Sequence, residues 1–368
     1  MMVRVPSFAK INLGLRIGPL RPDGFHELRT VYQTIALHDQ IRVSITRGSG
    51  IEIRSGNPQV PLDATNTCHK IAERAADALK CRGRVVIEIE KHLPVQGGLG
   101  GASGNAVSAL VALERLLGKT LAAADRLRIA AEVGSDLPLF LIGGTVLGVA
   151  HGEEVYPLPD LPAMPCVIAL PEIAVSTPKA FADWDELCGA GGPAREFPAG
   201  AAESSSQTMT LKGTTSSYAG TAPENSQAEK LKNPPRSDRM SEFSRDISAW
   251  LNAGPEVVGR RRSGVSARSG GRAENPLLDL VRTGIENDFE KVVFPQHPEL
   301  CEVKRVLERA GARYASLSGS GSAVYGLFES RERATAAAKK LNQAGTRAVV
   351  TSTLTRRRYW KKLLAISS

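Results

Sequence analysis

The chain is poor in the residues that would announce a stapled or metal-organised fold. Its five cysteines, Cys68, Cys81, Cys166, Cys188 and Cys301, form no Cys-x-x-Cys pair, and its six histidines show no ligand spacing. Both facts argue against a disulfide scaffold and a structural zinc site. No apolar run approaches the length of a membrane span. The start, Met1-Met2-Val3-Arg4-Val5-Pro6, lacks the basic region and hydrophobic block of a secretory signal, so the expectation is a cytoplasmic protein with no membrane partner. Two familiar nucleotide signatures are missing as well. Gly118-Lys119-Thr120 has Leu113 where a Walker A loop needs glycine, and it follows a helical pattern instead of a strand. Three positions after Gly100 stands Ser103, where a dinucleotide fingerprint would want another glycine.

Acidic charge is in deficit, with a formal net charge of +9, but the excess is unevenly placed. Residues 189–274 hold 12 basic and 9 acidic residues, and Arg356, Arg357, Arg358, Lys361 and Lys362 crowd the C-terminus. The body of the chain is left nearly neutral, which argues against nucleic acid as its main partner.

What is present, in 368 residues that are 42% apolar, suffices for two domains or for one with a large insertion. The most informative stretch is Pro94-Val95-Gln96-Gly97-Gly98-Leu99-Gly100-Gly101-Ala102-Ser103-Gly104-Asn105-Ala106. Upstream, Arg84–Glu90 is β-branched and strand-like; downstream, Val107, Leu110, Val111, Leu113 and Leu117 keep a helical spacing interrupted by Glu114 and Arg115. Glycines let a ligand approach the backbone, and free N–H groups at a helix start attract anions. The run therefore reads as a phosphate cradle.

Near the N-terminus, Ile11, Leu13, Leu15 and Ile17 alternate with Lys10, Asn12, Gly14 and Arg16, which places Lys10 and Asn12 on one face of a strand. Arg21-Pro22-Asp23-Gly24 supplies a turn and Thr30–Leu37 a returning strand. Helices are expected over Asn66–Leu79, Leu121–Val133, Pro276–Phe289, Cys301–Ala310 and Arg331–Ala344, and strands over Thr145–Val149, Cys166–Leu170, Arg313–Leu317 and Ala323–Phe328. Strict βαβ alternation is absent, which favours an α+β fold. From Gly189 to Glu274 large apolar residues are scarce, apart from Phe243, Ile247, Trp250 and Leu251 at helical spacing, and the segment reads as an irregular insertion. Asp136 follows Gly134-Ser135 and precedes Pro138, a position that also suits a helix cap.

Taken together, Ser7-Phe8-Ala9-Lys10-Ile11-Asn12-Leu13, Asp23-Gly24-Phe25-His26, the glycine run, Gly134-Ser135-Asp136-Leu137-Pro138, Glu286-Asn287-Asp288-Phe289-Glu290 and Ser318-Gly319-Ser320-Gly321-Ser322 resemble the GHMP kinases. Within that superfamily the resemblance is to the branch acting on a cytidine-diphosphate-linked alcohol. It implies a two-domain GHMP fold: an ATP-binding domain over 1–155, a second domain over 156–353 interrupted by the insertion 189–274, and a basic tail over 354–368. It also implies ATP and Mg2+ as cofactors, Asp136 as general base with Lys10 beside it, and phosphate contacts from Pro94 to Gly104. Substrate contacts would come from Asn12, Phe25, His26, Tyr32, Thr177 and Phe181. No metal ligand is indicated. The family's loop ends Gly-Gly-Gly-Ser-Ser before Asn or Asp, whereas here Gly101-Ala102-Ser103-Gly104 precedes Asn105, so one hydroxyl is expected to be lost from the phosphate or metal side. Another alcohol substrate, or a nucleotide- or nucleic-acid-binding relative without catalysis, remain the alternative readings.

Overall fold

The computed structural model describes residues 1–189 and 286–365. The helix expected around Phe243–Leu251, and nearly all of the insertion, lie outside them. Two long strands organise the first sheet: β1 (Met2–Leu20) and β2 (His26–Thr46), antiparallel along almost their whole length. The other edge of β2 pairs with β4 (Arg84–Glu90) over its C-terminal part and with β5 (Thr145–Val149) over its N-terminal part. β3 (Ile51–Ser55) runs parallel to β4, and β6 (Glu154–Pro157) closes the far side against β5. The second sheet, in the order β10-β7-β9-β8, comprises β7 (Pro165–Ala169), β8 (Tyr314–Leu317), β9 (Val324–Leu327) and β10 (Ala348–Ser352), all antiparallel to their neighbours.

Period-two alternation sorts the apolar side chains into three cores. Val5, Ile41, Val43 and Ile87 pack under α1 (Thr67–Leu79), α2 (Gly101–Leu117), α3 (Ala123–Val133) and α4 (Leu137–Ile142). Between the sheets lie Ala9, Ile11, Leu13, Val31 and Ile35, facing Cys166, Ile168, Tyr325 and Leu327. The outer face of the second sheet, Val167, Ala169 and Val324, is covered by α5 (Thr177–Leu187), α6 (Glu290–Gln296), α7 (Pro298–Arg309) and α8 (Arg331–Gln343). The last of the described helices, α9 (Arg356–Leu363), returns to the first core through Tyr359 and Leu363.

Three expectations change. The glycine run is divided, because α2 begins at Gly101 and takes the last glycines as its first turn. Of the helix expected over Pro276–Phe289, the described part is not helical: Asn287 bridges Leu15 and helix starts only at Glu290. The basic tail is a docked helix whose apolar Tyr359 and Leu363 are buried, while Arg357 and Arg358 stay exposed. Glu114, which broke the apolar pattern of α2, is buried because Arg126 of α3 meets both its oxygens at 2.9 and 2.6 Å.

Candidate active site

The bulge between Phe8 and Ala9 resets the alternation of β1, so Lys10 and Asn12 point away from the inter-sheet core toward the start of α2. Lys10 is buried, not a solvated edge residue. Its Nζ lies 3.4 Å from Asp136 Oδ2 and donates to Asn12 Oδ1 at 2.7 Å. Asn12 Nδ2 donates to Thr30 Oγ1 at 2.8 Å, and Thr30 in turn donates to Gly14 O. Tyr32, opposite Asn12 in the register, donates its hydroxyl to Asp136 Oδ1 at 3.0 Å. Burial, reinforced by the Asp136 carboxylate, pushes the Tyr32 phenol well above its ordinary range, so it remains a proton donor. Asp136 occupies the N-cap position of α4 but makes no capping bond. Both its oxygens are turned instead to Lys10 and Tyr32, and its side chain keeps about a third of its surface open (32%).

The cradle lies directly over this group. Lys10 N donates to Leu99 O at 2.9 Å, and a β-carbon at Gly100 would stand 3.0 Å from Lys10 Cγ. Gly100 caps α2 with φ of 66°, after which Gly104 N–H closes the first helical bond to Gly100 O. The N–H groups of Gly101, Ala102 and Ser103 therefore stay without helical partners, at the positive end of a 17-residue helix. Pro94–Gly98 and Gly100–Ser103 line a cavity of about 320 Å³, together with Asn66 and Thr67 at the start of α1 and Ile89 and Lys91 at the end of β4. Lys91 is held by the buried Asp39, whose other oxygen accepts His92 N and Leu93 N at 2.7 Å each.

The second small-residue turn, Ser318–Ser322, interlocks with the first. Ser318 Oγ donates to Gly98 O at 2.9 Å, Ala323 N to Gly97 O at 3.3 Å, and the backbones touch so closely that neither Gly98 nor Gly321 has room for a β-carbon. Asn287 Nδ2 holds this turn through Leu317 O and Gly319 O, at 2.9 and 2.7 Å. A cavity of about 310 Å³ joins Gln96 and Gly98 to Ser176–Pro178 and Ser320, and Thr177 Oγ1 lies 2.7 Å from Ser320 Oγ within it.

Aromatic groups gather at the tip of the β1–β2 hairpin. The His26 ring stacks on Phe181 with centroids 5.0 Å apart and planes 10° from parallel, and its Nε2 meets Asp185 Oδ1 at 3.0 Å. Phe25 is exposed and rests on His151 with centroids 5.1 Å apart.

Several expected roles shift with this geometry. Asn12 is buried between Lys10 and Thr30, and Tyr32 is buried with its hydroxyl on Asp136. Neither offers a free stacking or binding surface; both hold the Lys10–Asp136 pair. Gly104 turns toward β1, where a β-carbon would sit 2.7 Å from Phe8 O and 3.0 Å from Ser7 Oγ. The absent hydroxyl is thus missing from the strand side, whereas Ser103 lines the cavity. The sequence assigned no role to Thr30, to Asn287 or to a group formed by Ser135, His151 and Glu153, in which His151 Nδ1 lies 3.0 Å from Ser135 Oγ and 2.9 Å from Glu153 Oε2. Ser135 lay in the Gly134–Pro138 motif, but nothing in the local sequence tied it to His151 and Glu153.

A buried lysine beside a partly open carboxylate, beneath a glycine-rich helix start, suits phosphoryl transfer to a small molecule, and comparison with known proteins gives that class. The family model described as GHMP kinases N terminal domain matches residues 66–144, and that described as GHMP kinases C terminal matches 274–347. The 4-diphosphocytidyl-2-C-methyl-D-erythritol kinase of Solibacter usitatus is 34% identical over 98% of this chain and 92% of its own length. That of Acaryochloris marina is 32% identical over 91% of this chain and 90% of its own. A crystal structure of 4-(cytidine 5'-diphospho)-2C-methyl-D-erythritol kinase superposes with a TM-score of 0.63 at 25% identity, covering 95% of this chain and 98% of that one. A mevalonate kinase crystal structure, at 13% identity and a TM-score of 0.59, shares the fold. The chain belongs to the GHMP kinase family, among the 4-diphosphocytidyl-2-C-methyl-D-erythritol kinases.

No helix among the described residues is long and apolar enough to cross a membrane. Among them no three His, Cys, Asp or Glu side chains converge as a metal cage.

Proposed function

We propose that this protein transfers the γ-phosphoryl group of ATP to the 2-hydroxyl of 4-(cytidine 5'-diphospho)-2-C-methyl-D-erythritol, in the cytoplasm, as a step of the non-mevalonate route to isoprenoid precursors. The observation that carries the reading is Asp136, partly open, with Lys10 at 3.4 Å and the Tyr32 hydroxyl at 3.0 Å, beneath the unpartnered N–H groups of Gly101, Ala102 and Ser103. An alcohol is a weak nucleophile at neutral pH, so a positioned carboxylate that takes its proton speeds attack. Lys10, 3.4 Å from Asp136, offsets the developing alkoxide charge, while Tyr32 orients the accepting carboxylate. Residues 94–98 and 100–103 hold the triphosphate, and the 320 Å³ cavity beside Asn66 and Lys91 takes the nucleoside.

Magnesium fits this cradle. Asn105 Oδ1 is buried at its edge without a hydrogen-bond partner, Ser103 offers a hydroxyl, and Mg2+ in such sites needs few protein ligands because phosphate oxygens supply the rest. Bound there, it would neutralise phosphate charge. Phe25 offers an open ring for a pyrimidine, with the His26–Phe181 stack beside it. The domain at 1–155 would then hold the nucleotide, and 156–353 would contribute Thr177 and Phe181 to the acceptor.

The test is ADP release from purified protein with MgATP and the cytidine-diphosphate alcohol. Asp136→Asn should lose at least about a hundredfold in kcat, as loss of a general base does, while ATP affinity stays near wild type. Absence of acceptor-dependent ADP release from the wild-type protein would refute the assignment.

A further inference from the structure

The polar groups of the C-terminal helix α9 converge on the far end of α4, the short helix that Asp136 opens. α4 has six residues, too few to persist alone, and its last carbonyls have no partners inside it. Gly143 N closes on Leu139 O at 2.8 Å. Two more partners come from α9: Tyr359 donates its hydroxyl to Phe140 O at 2.6 Å, and Trp360 Nε1 donates to Ile142 O at 2.9 Å. Arg356 Nε donates to Gly143 O at 3.2 Å, and its Nη2 to Thr145 O and Leu158 O at 2.9 and 3.1 Å.

The approach is built in from both sides. Gly143 and Gly144 have φ of +69° and +73°; a β-carbon on the first would overlap the Tyr359 ring, and one on the second would lie 2.7 Å from Arg356 N. Asp160 joins the two segments by accepting Arg356 N at 2.7 Å and Thr145 N at 3.2 Å. Tyr359 is fully buried and meets Trp360 edge-on at 5.6 Å.

We infer that α9 is a clamp on the catalytic turn, with Tyr359, Trp360 and Arg356 as positioning residues that set α4, and through it Asp136, against Lys10. The inference rests on the reading of Asp136 as the base. It gives the C-terminal segment a role in turnover that its charge does not suggest.

The test is the double variant Tyr359→Phe, Trp360→Phe, which keeps both rings apolar and aromatic but removes the two donors. Its kcat should fall about tenfold or more, because small displacements of a catalytic group are felt strongly, while KM for ATP stays within about twofold. Amide hydrogen exchange over 137–143 should quicken, with the 101–110 amides of α2 unchanged. Ile53→Val, a core truncation on β3 away from α4, controls for general loss of stability and should leave kcat within about twofold of wild type.

The clamp is overturned if the double variant keeps wild-type kcat and wild-type exchange in α4 while Asp136→Asn is inactive. It is likewise overturned if Ile53→Val lowers kcat as much as the double variant does. Should Asp136→Asn itself remain active, the assignment of Asp136 as base fails, and the clamp's catalytic role fails with it.

Discussion

Replacing Gly98 with alanine probes the interlock of the two small-residue loops. Gly98 sits at φ of +75°, where a β-carbon raises the backbone energy by about 1–2 kcal/mol. That carbon would overlap Ser318 O and lie 3.1 Å from Gly321 N, so the loops must part, and overpacking of this kind adds about 1–3 kcal/mol. Parting also weakens the bonds of Ser318 Oγ to Gly98 O and Ala323 N to Gly97 O, at 2.9 and 3.3 Å, each worth about 1 kcal/mol. The sum is about 3 kcal/mol or more, a fall in Tm of roughly 4–5 °C or more for a chain of 368 residues, whose unfolding entropy is about 0.6–0.8 kcal/mol/K. Gly56→Ala is the matched control, since nothing lies within 4 Å of a β-carbon there and the backbone is not left-handed; its stability should change by less than about 0.5 kcal/mol. Scanning calorimetry reads both. Titration calorimetry should show ATP affinity at least about tenfold weaker in Gly98→Ala, because the cradle's N–H groups lose their alignment. If Gly98→Ala melts and binds ATP like Gly56→Ala, the two loops are not mechanically joined and the reasoning is refuted.

Asn12→Ala removes the acceptor of Lys10 Nζ, a bond to a charged group worth about 1.5–3 kcal/mol. Steady-state assays should show kcat down about ten- to hundredfold with KM for ATP little changed. His151→Ala withdraws the support behind Phe25 and should raise KM for the cytidine-diphosphate alcohol about three- to tenfold, the worth of one aromatic pair, without altering KM for ATP. The phenols of Tyr32, Tyr314, Tyr325 and Tyr359 are all pushed upward, in each case chiefly by burial. Since each folded value lies above the unfolded one near about 10, their contribution to stability is complete below that pH and is lost as pH rises through the folded values. An ultraviolet titration should therefore show phenolate from these four only as the protein unfolds in alkali; their ionisation in the native protein would contradict the burial described.

Much of the site was legible locally. Alternation in β1 put Lys10 and Asn12 on one face because a strand has a strict period of two. The glycine run between a strand and an apolar helix was legible as a helix start with free N–H groups, because unpartnered N–H groups are a property of any helix start. The pairing of Lys10 with Asp136 could be expected only from resemblance to a family, since 126 positions separate them in the chain. Gly104 was misjudged for a related reason: spacing tells that a residue lacks a hydroxyl, but not whether the position faces ligand or a neighbouring strand.

The sequence by itself determined most of the longer elements, the glycine-rich start of α2 and the polar face of β1, because these follow from short-range periodicity and from backbone conformations that glycine permits. Tertiary structure alone decided that Tyr32 and Asn12 serve Lys10 and Asp136, that the Ser318 turn locks the cradle, and that a run of arginines and lysines at the C-terminus is a buried-faced helix satisfying the carbonyls of α4. Those outcomes depend on which long-range partners reach each buried polar group first. Hydrogen bonding has to be satisfied across the whole packed interior, and no local window of the chain contains both partners.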